Sequence, residues 1–73
     1  MKAYFFRLNL AYDECIHFYH ASTPHALLMA ESGERVQVPA YTLRPFIGHT
    51  GIQGRFRLLT DENNKIQSFE RVG

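Results

Sequence analysis

The stretch from residue 43 to residue 58, LRPFIGHTGIQGRFRL, concentrates side chains that could bind phosphate. It contains three arginines, a histidine, three glycines and two phenylalanines, and it contains no acidic residue. No Asp or Glu occurs between Glu34 and Asp61, although the whole chain carries a formal net charge of only +1. The middle of the chain is therefore locally cationic, and cationic surfaces attract nucleic-acid backbones.

Arginines on a strand would be well spaced for a single nucleic-acid strand. If the end of the stretch is extended, Arg55 and Arg57 project from one face about 7 Å apart, near the phosphate spacing. An amino-terminal strand would present Phe5 and Arg7 in the same way, and bases stack on a ring flanked by guanidinium groups. The candidate nucleic-acid or partner-binding residues are Arg44, His49, Arg55, Arg57, Arg7 and Phe5.

A structural role for the same arginines is the alternative. Surface arginines often only solvate a strand or pair with acids, here Glu14 and Glu70. The stretch also lacks the aromatic pattern of the common RNA-binding sheet, because arginine stands where that pattern needs a ring. The sequence alone leaves both interpretations open, with the structural face favoured.

The three glycines of the stretch do not form a phosphate-binding loop. Such a loop lies between a strand and the amino terminus of a helix, with a lysine or a helix dipole behind the phosphate. Gly48, Gly51 and Gly54 instead precede a predicted strand, and no lysine accompanies them. We interpret them as positions where the backbone turns or passes close to a neighbour.

Metal binding and catalysis have little support in the sequence. Asp13, His17 and His20 would share one side of a helix, which is a weak zinc pattern because Asp13 also suits the first turn of the helix. Cys15 falls in an apolar stripe, where a thiol is buried and protonated. No carboxylate pair, Ser–His pair or cofactor fingerprint is present, so we predict no catalytic site, no metal and no cofactor.

Alternation of apolar and polar residues predicts the strands that must position these side chains. Residues 4–10 alternate and predict the first strand. Residues 26–30 and 35–38, separated by Glu-Ser-Gly-Glu, predict a hairpin. Residues 52–60 alternate again, and after a polar turn residues 66–72 predict a last strand, whose broken alternation indicates a bulge or a twist.

A helical period interrupts the strands once. Residues 12–20 place Tyr12, Cys15, Ile16 and Tyr19 on one apolar stripe, which predicts a short helix that ends before Pro24. The segment between Pro39 and Pro45 is long enough for one helical turn only, and we expect a connector there.

These elements predict a small α+β domain. The order is β-α-β-β-β-β, with one short helix packed on a mostly antiparallel five-stranded sheet that is open or curled towards a barrel. A length of 73 residues, 45% of them hydrophobic, predicts a single domain over residues 1–73 with a modest core. One cysteine, no signal-peptide pattern and no long apolar run lead us to expect a soluble protein of the cytoplasm, with no membrane partner.

Two segments of the chain, FRLNLAYDECIHFYH and RVQVPAYTLRPFIGHTGIQGRFRLLTDENNKIQSFERV, carry a family resemblance. They resemble the short bacterial proteins grouped as domain of unknown function 2835, most specifically in the run between Val38 and Phe56. The resemblance implies a compact bacterial domain and no activity. It also implies serine or threonine where this chain has Ala11, so we expect Asn9 or water to serve the free amides at the start of the helix.

Two functional hypotheses follow. The first is a non-enzymatic adaptor or protein-interaction module, which binds a protein partner or a second copy of itself through its sheet and the turn at residues 43–49. Apolar side chains left over once the core is filled, such as Phe5 and Leu27, support this hypothesis. The alternative is a weak nucleic-acid-binding domain that uses the arginines. No small-molecule substrate is inferred.

Overall fold

Five strands and four short helices occupy the part of the chain that the computed structural model describes, residues 1–19 and 24–73. The strands are β1 (Lys2–Leu10), β2 (His25–Met29), β3 (Arg35–Pro39), β4 (Ile52–Thr60) and β5 (Ile66–Arg71). The helices are α1 (Tyr12–Cys15) and three 3-10 helices at Ile16–Tyr19, Ala40–Thr42 and Arg44–Phe46. None of these helices is long and apolar enough to cross a membrane.

The strands form two sheets. β4 lies between β1 and β5 in a three-stranded sheet, and β2 pairs with β3 in a separate hairpin, with every pair antiparallel. The predicted α+β class with mostly antiparallel strands is confirmed, whereas the predicted single five-stranded sheet is wrong. Within the described ranges, one backbone hydrogen bond joins the sheets, from the Glu31 N–H to the Phe5 carbonyl at 2.7 Å. The strands therefore do not close into a barrel.

Face-to-face packing explains why the sheets stay separate. Alternate side chains of β1 and β4, among them Phe6 and Phe56, are buried on one face of the three-stranded sheet. Ala26, Leu28 and Val38 of the hairpin are buried in the same core cluster. Each sheet thus buries one apolar face against the other, which satisfies the hydrophobic pattern without continuous strand pairing.

The predicted helix is shorter and tighter than its sequence pattern indicates. Only Tyr12–Cys15 is α-helical, and the next four residues form a 3-10 helix, so the predicted element order with one helix is not matched. Three residues per turn place Cys15 and Phe18 on the same side. Cys15 is fully buried and Phe18 packs against the core, whereas Ile16, predicted to face inwards, is 42% exposed. Residues 20–23, which include the predicted end of the helix, lie outside the described residues.

Glu14 supplies one half of a capping box at the start of α1. Ala11 precedes α1 without a side chain that could accept a hydrogen bond. The Glu14 carboxylate accepts one from the Ala11 N–H at 3.3 Å, and the Ala11 carbonyl accepts one from the N–H of Cys15. Glu14 therefore bonds the amide that precedes the helix, whereas the free amides of the first turn, which Asn9 or water was expected to serve, gain no acceptor from the Ala11 side chain.

The remaining predicted elements are confirmed. The hairpin turns at residues 31–34, and the connector forms two single 3-10 turns separated by Leu43. The bulge lies in β5, because Leu59 pairs with Ser68 while Thr60 pairs with Ile66, which leaves Gln67 as the extra residue.

Candidate functional site: the arginine face and two grooves

Four of the six predicted site residues share one surface. Phe5, Arg7, Arg55 and Arg57 lie on the outer face of the three-stranded sheet, and we call this surface the arginine face. The antiparallel register places Arg7 opposite Arg55 and Phe5 opposite Arg57. Strand alternation therefore brought these four side chains together as predicted.

Arg44 and His49 are not part of the arginine face. The half-buried Arg44 donates a hydrogen bond from Nε to the Phe18 carbonyl at 2.7 Å, which fastens the connector to the first 3-10 helix. His49 is exposed in the turn between Gly48 and Gly51, before β4 begins. The structure thus gives Arg44 a role in holding elements together and leaves His49 at one end of the sheet.

Glu31 forms ion pairs with two arginines of the arginine face, Arg7 and Arg55. Its N–H bonds the Phe5 carbonyl, and its carboxylate reaches the outer side of the sheet. There it accepts two hydrogen bonds from Arg55, from Nε at 2.8 Å and from Nη2 at 3.1 Å, and it lies 3.6 Å from Nε of Arg7. These contacts lower the pKa of Glu31 and raise the pKa of Arg55, in both cases chiefly through their shared hydrogen bonds. Sequence reasoning missed Glu31 because no local pattern shows where a hairpin turn docks.

The other members of the face also have partners. Arg57 Nη2 lies 3.4 Å from a Glu70 carboxylate oxygen, the pairing that the structural interpretation named. The Arg55 guanidinium lies over the Phe5 ring, 4.5 Å from its centroid, so one side of that ring is covered. Three arginines and two glutamates therefore form a largely balanced surface.

Replacement of Glu31 by glutamine is expected to lower stability in a pH-dependent way. Because the folded chain lowers the pKa of Glu31, its ionised form stabilises the fold above the unfolded value of about 4.3. That contribution is lost as the pH falls through the folded pKa. Thermal unfolding midpoints of wild type and Glu31→Gln should differ most at pH 7 and converge once the pH is below the folded pKa of Glu31.

Glu62→Gln is the matched control for this prediction. Glu62 is exposed in the turn after β4 and has no ion pair among the described residues. Its replacement should leave the midpoint close to that of wild type at every pH. A Glu31→Gln difference that does not shrink as the pH is lowered would show that the loss does not come from the ionised carboxylate.

A groove separates β1 from β2 beyond the single hydrogen bond that joins them. We call it the β1–β2 groove, and residues 7–10, 13, 14, 17, 18 and 25–29 line it. Alternate residues of a strand direct their backbone groups to the same edge. The Phe5 carbonyl points towards β2, so the backbone groups of Arg7 and Asn9 also point into the groove from β1. The Glu31 N–H points towards β1, so the backbone groups of Leu27 and Met29 point into the groove from β2. Two strand edges therefore face each other across open space.

A second groove lies on the other side of the hairpin. We call it the β3–β5 groove, and its lining comes from β3, the 3-10 residue Tyr41, Tyr4, the end of β4 and the turn into β5. His25, the first residue of β2, lines both grooves. Its cationic side chains include Arg35 and Lys65, and no Asp or Glu lines it. Neither cation was singled out by the sequence, because residues on separate turns show no common pattern.

The metal and thiol candidates give no site in the described residues. Within residues 1–19 and 24–73, no three His, Cys, Asp or Glu side chains are grouped closely enough to hold a metal ion. His20, the third member of the zinc pattern, lies outside the described residues. The Cys15 thiol is fully buried, burial raises its pKa, and its Sγ lies 3.8 Å from the Leu10 carbonyl. Cys15 is therefore a core side chain, as the sequence predicted.

Comparison with known proteins gives one match. A family model described as "Protein of unknown function (DUF2835)" matches residues 2–72, nearly the whole chain. Neither the curated proteins nor the solved structures contain a match.

Proposed function

Because the chain belongs to the DUF2835 family of proteins of unknown function, whose description names no activity, we propose a function from its geometry: it is a protein-interaction module. The module binds an extended segment of a partner protein in the β1–β2 groove. The observation that carries this proposal is the pair of facing strand edges, with Arg7 and Asn9 on one side and Leu27 and Met29 on the other.

Strand addition suits these edges chemically. An unpaired strand edge presents a row of N–H and C=O groups that can pair with another extended chain. A segment lying between β1 and β2 would find such groups on both of its sides. It would also join the two sheets, which in the free protein share one backbone hydrogen bond among the described residues.

Exposed apolar side chains beside the groove add a second reason. Leu27 and Met29 are 64% and 60% exposed, which is high for large apolar residues on regular strands. Half-buried Leu10 and Phe18 line the same groove. A partner segment with apolar side chains at alternate positions would cover this surface, and methionine adapts readily to different partners.

The nucleic-acid alternative has weaker support. Every arginine of the arginine face lies within 4.0 Å of a glutamate oxygen, and the half-buried Phe5 ring already has a guanidinium over it. A phosphate backbone would have to compete with Glu31 and Glu70 for these groups. An amide-shift titration with single-stranded RNA at low salt tests this alternative through residues 55 and 57.

Substitution by proline at the groove edge tests strand addition. Peptides selected on the wild-type protein from a random displayed library should bind Leu27→Pro at least about tenfold more weakly, because proline removes an N–H that faces the groove. That N–H makes no bond within the hairpin, so the β2–β3 ladder should persist. Leu27→Thr, which keeps the N–H and suits a strand, should retain much more affinity; calorimetric titration measures both variants.

Hydrogen exchange locates the bound peptide. Binding should slow exchange at the amides of Arg7, Asn9, Leu27 and Met29, because each would gain a partner. Unchanged exchange at all four, or equal affinity for wild type and Leu27→Pro, would contradict the proposal. A doubled mass in sedimentation that Leu27→Pro abolishes would identify a second copy, instead of a different protein, as the occupant.

A further inference from the structure

We infer that the β3–β5 groove binds a small organic anion. Its anionic group would contact Arg35, Lys65 and the Thr60 hydroxyl, and its apolar or aromatic body would lie against Tyr4 and Val36. The inference does not depend on strand addition, because this groove lies on the opposite side of the hairpin.

The size and lining of the groove fit such a ligand. Its volume is about 700 Å³, within the roughly 300–1,000 Å³ typical of small-molecule sites. Val36 and Ile66 supply apolar surface, and the rings of Tyr4 and Tyr41 lie among the lining residues. The lining as a whole is somewhat more polar than apolar, which suits a ligand that carries a charged group beside its apolar body.

The charge of the groove selects for an anion. Arg35 and Lys65 line it, and neither forms an ion pair with an acid in residues 1–19 or 24–73. The acids nearest to Lys65 in the sequence are Glu62 and Asp61. The Asp61 carboxylate accepts hydrogen bonds from the backbone N–H groups of Asn63 and Lys65. Asp61 therefore holds the backbone of the turn that carries Lys65. The two cations of the groove contrast with the paired arginines of the arginine face.

Thr60 provides an independent observation that points to a ligand. Thr60 lines the groove and is only 4% exposed, and its hydroxyl has no hydrogen-bond partner among the described residues. A buried hydroxyl without a partner destabilises a fold, so such groups are uncommon and each one needs an explanation, which a bound ligand would supply here. The β5 bulge pairs Thr60 with Ile66 and so places Thr60 beside the turn that carries Lys65.

Three probes separate the parts of the proposed ligand. Phenyl phosphate carries a ring and an anionic group, phenol carries the ring alone, and inorganic phosphate carries the charge alone. In amide-shift titrations, phenyl phosphate should give saturable shifts at residues 58, 60 and 65. Phenol and inorganic phosphate should each bind at least about tenfold more weakly.

Single-charge variants test which cations hold the anion. Arg35→Gln and Lys65→Gln should each weaken phenyl phosphate binding by about tenfold, since each removes a charged donor. Arg7→Gln removes one charge from the arginine face and should leave the affinity unchanged. All three positions are exposed, so the variants should fold.

Thr60→Val should weaken ligand binding and, at the same time, stabilise the free protein. It replaces the hydroxyl by a methyl group of similar size, so it should weaken phenyl phosphate binding and raise the melting temperature of the free protein. A lowered melting temperature would show that the hydroxyl has a partner in the free protein, which overturns this part of the inference. Shifts outside the groove, or equal affinity of Lys65→Gln and wild type, would overturn the site itself.

Discussion

Replacement of Gly51 by alanine is expected to destabilise the fold by about 3–5 kcal/mol. Gly51 has φ of +96°, a backbone conformation that residues with a Cβ rarely adopt. A Cβ built there would lie 1.9 Å from the Leu10 carbonyl oxygen and 2.7 Å from the Ala11 carbonyl carbon. Both are backbone atoms, so the clash is relieved only if the turn moves away from the end of β1.

That movement would break further contacts. Gly48 and Gly51 exchange two backbone hydrogen bonds of 2.8 and 3.0 Å, which close the turn. The Gln53 amide donates to the Thr50 carbonyl at 2.6 Å and to the Leu10 carbonyl at 3.1 Å, which ties the turn to β1. The urea midpoint followed by far-ultraviolet circular dichroism measures the combined loss.

Two other glycines are matched controls for Gly51. Gly33 has φ of +94° but no atom within 4 Å of a built Cβ, so Gly33→Ala should cost only about 1 kcal/mol of backbone strain. A Cβ on Gly48 would meet its nearest atom at 3.9 Å, so Gly48→Ala should be close to neutral. Equal losses at Gly51 and Gly33 would show that the turn moves freely and that the close approach to β1 is unimportant.

Truncation of Phe56 to alanine is expected to destabilise the fold by about 3–5 kcal/mol. Phe56 is fully buried at the centre of β4. Its ring stacks on Phe69 with 5.2 Å between centroids and meets the edge of Phe46 at 5.3 Å. Removal of the ring would leave a cavity that touches β4, β5 and the connector, and so short a chain has few other contacts with which to compensate.

Phe5→Ala is the control, because it makes the same chemical change on the same sheet. Phe5 is half-buried on the arginine face and has the Arg55 guanidinium over it, so its loss should cost about 1 kcal/mol. Phe56→Leu keeps most of the apolar volume and should cost less than half of the alanine change. Similar losses for Phe56→Ala and Phe5→Ala would contradict the placement of the core on the inner face.

Local pattern determined the elements and the faces of the strands. Alternation along residues 4–10 and 52–60 was enough to separate buried Phe6 and Phe56 from exposed Arg7, because the side-chain period of a strand is fixed at two. The same alternation placed Phe5, Arg7, Arg55 and Arg57 on one surface. The helix was less predictable: the chain changes from α to 3-10 geometry at Ile16, and this geometry places Phe18 against the core in place of Ile16.

Tertiary structure alone decided how the strands combine and which charges remain unpaired. Whether a hairpin pairs with β1 or packs across its face depends on contacts distant in sequence, and both arrangements bury the same side chains. Glu31 therefore reaches Arg55 from a turn 24 positions away along the chain, whereas Arg35 and Lys65 line a groove without an acid. The sequence pattern predicted that the arginines of the 43–58 stretch could form a cationic binding surface. The fold pairs Arg55 with Glu31 and Arg57 with Glu70, and it bonds Arg44 to the Phe18 carbonyl. It leaves Arg35 and Lys65 without an ion pair among the described residues.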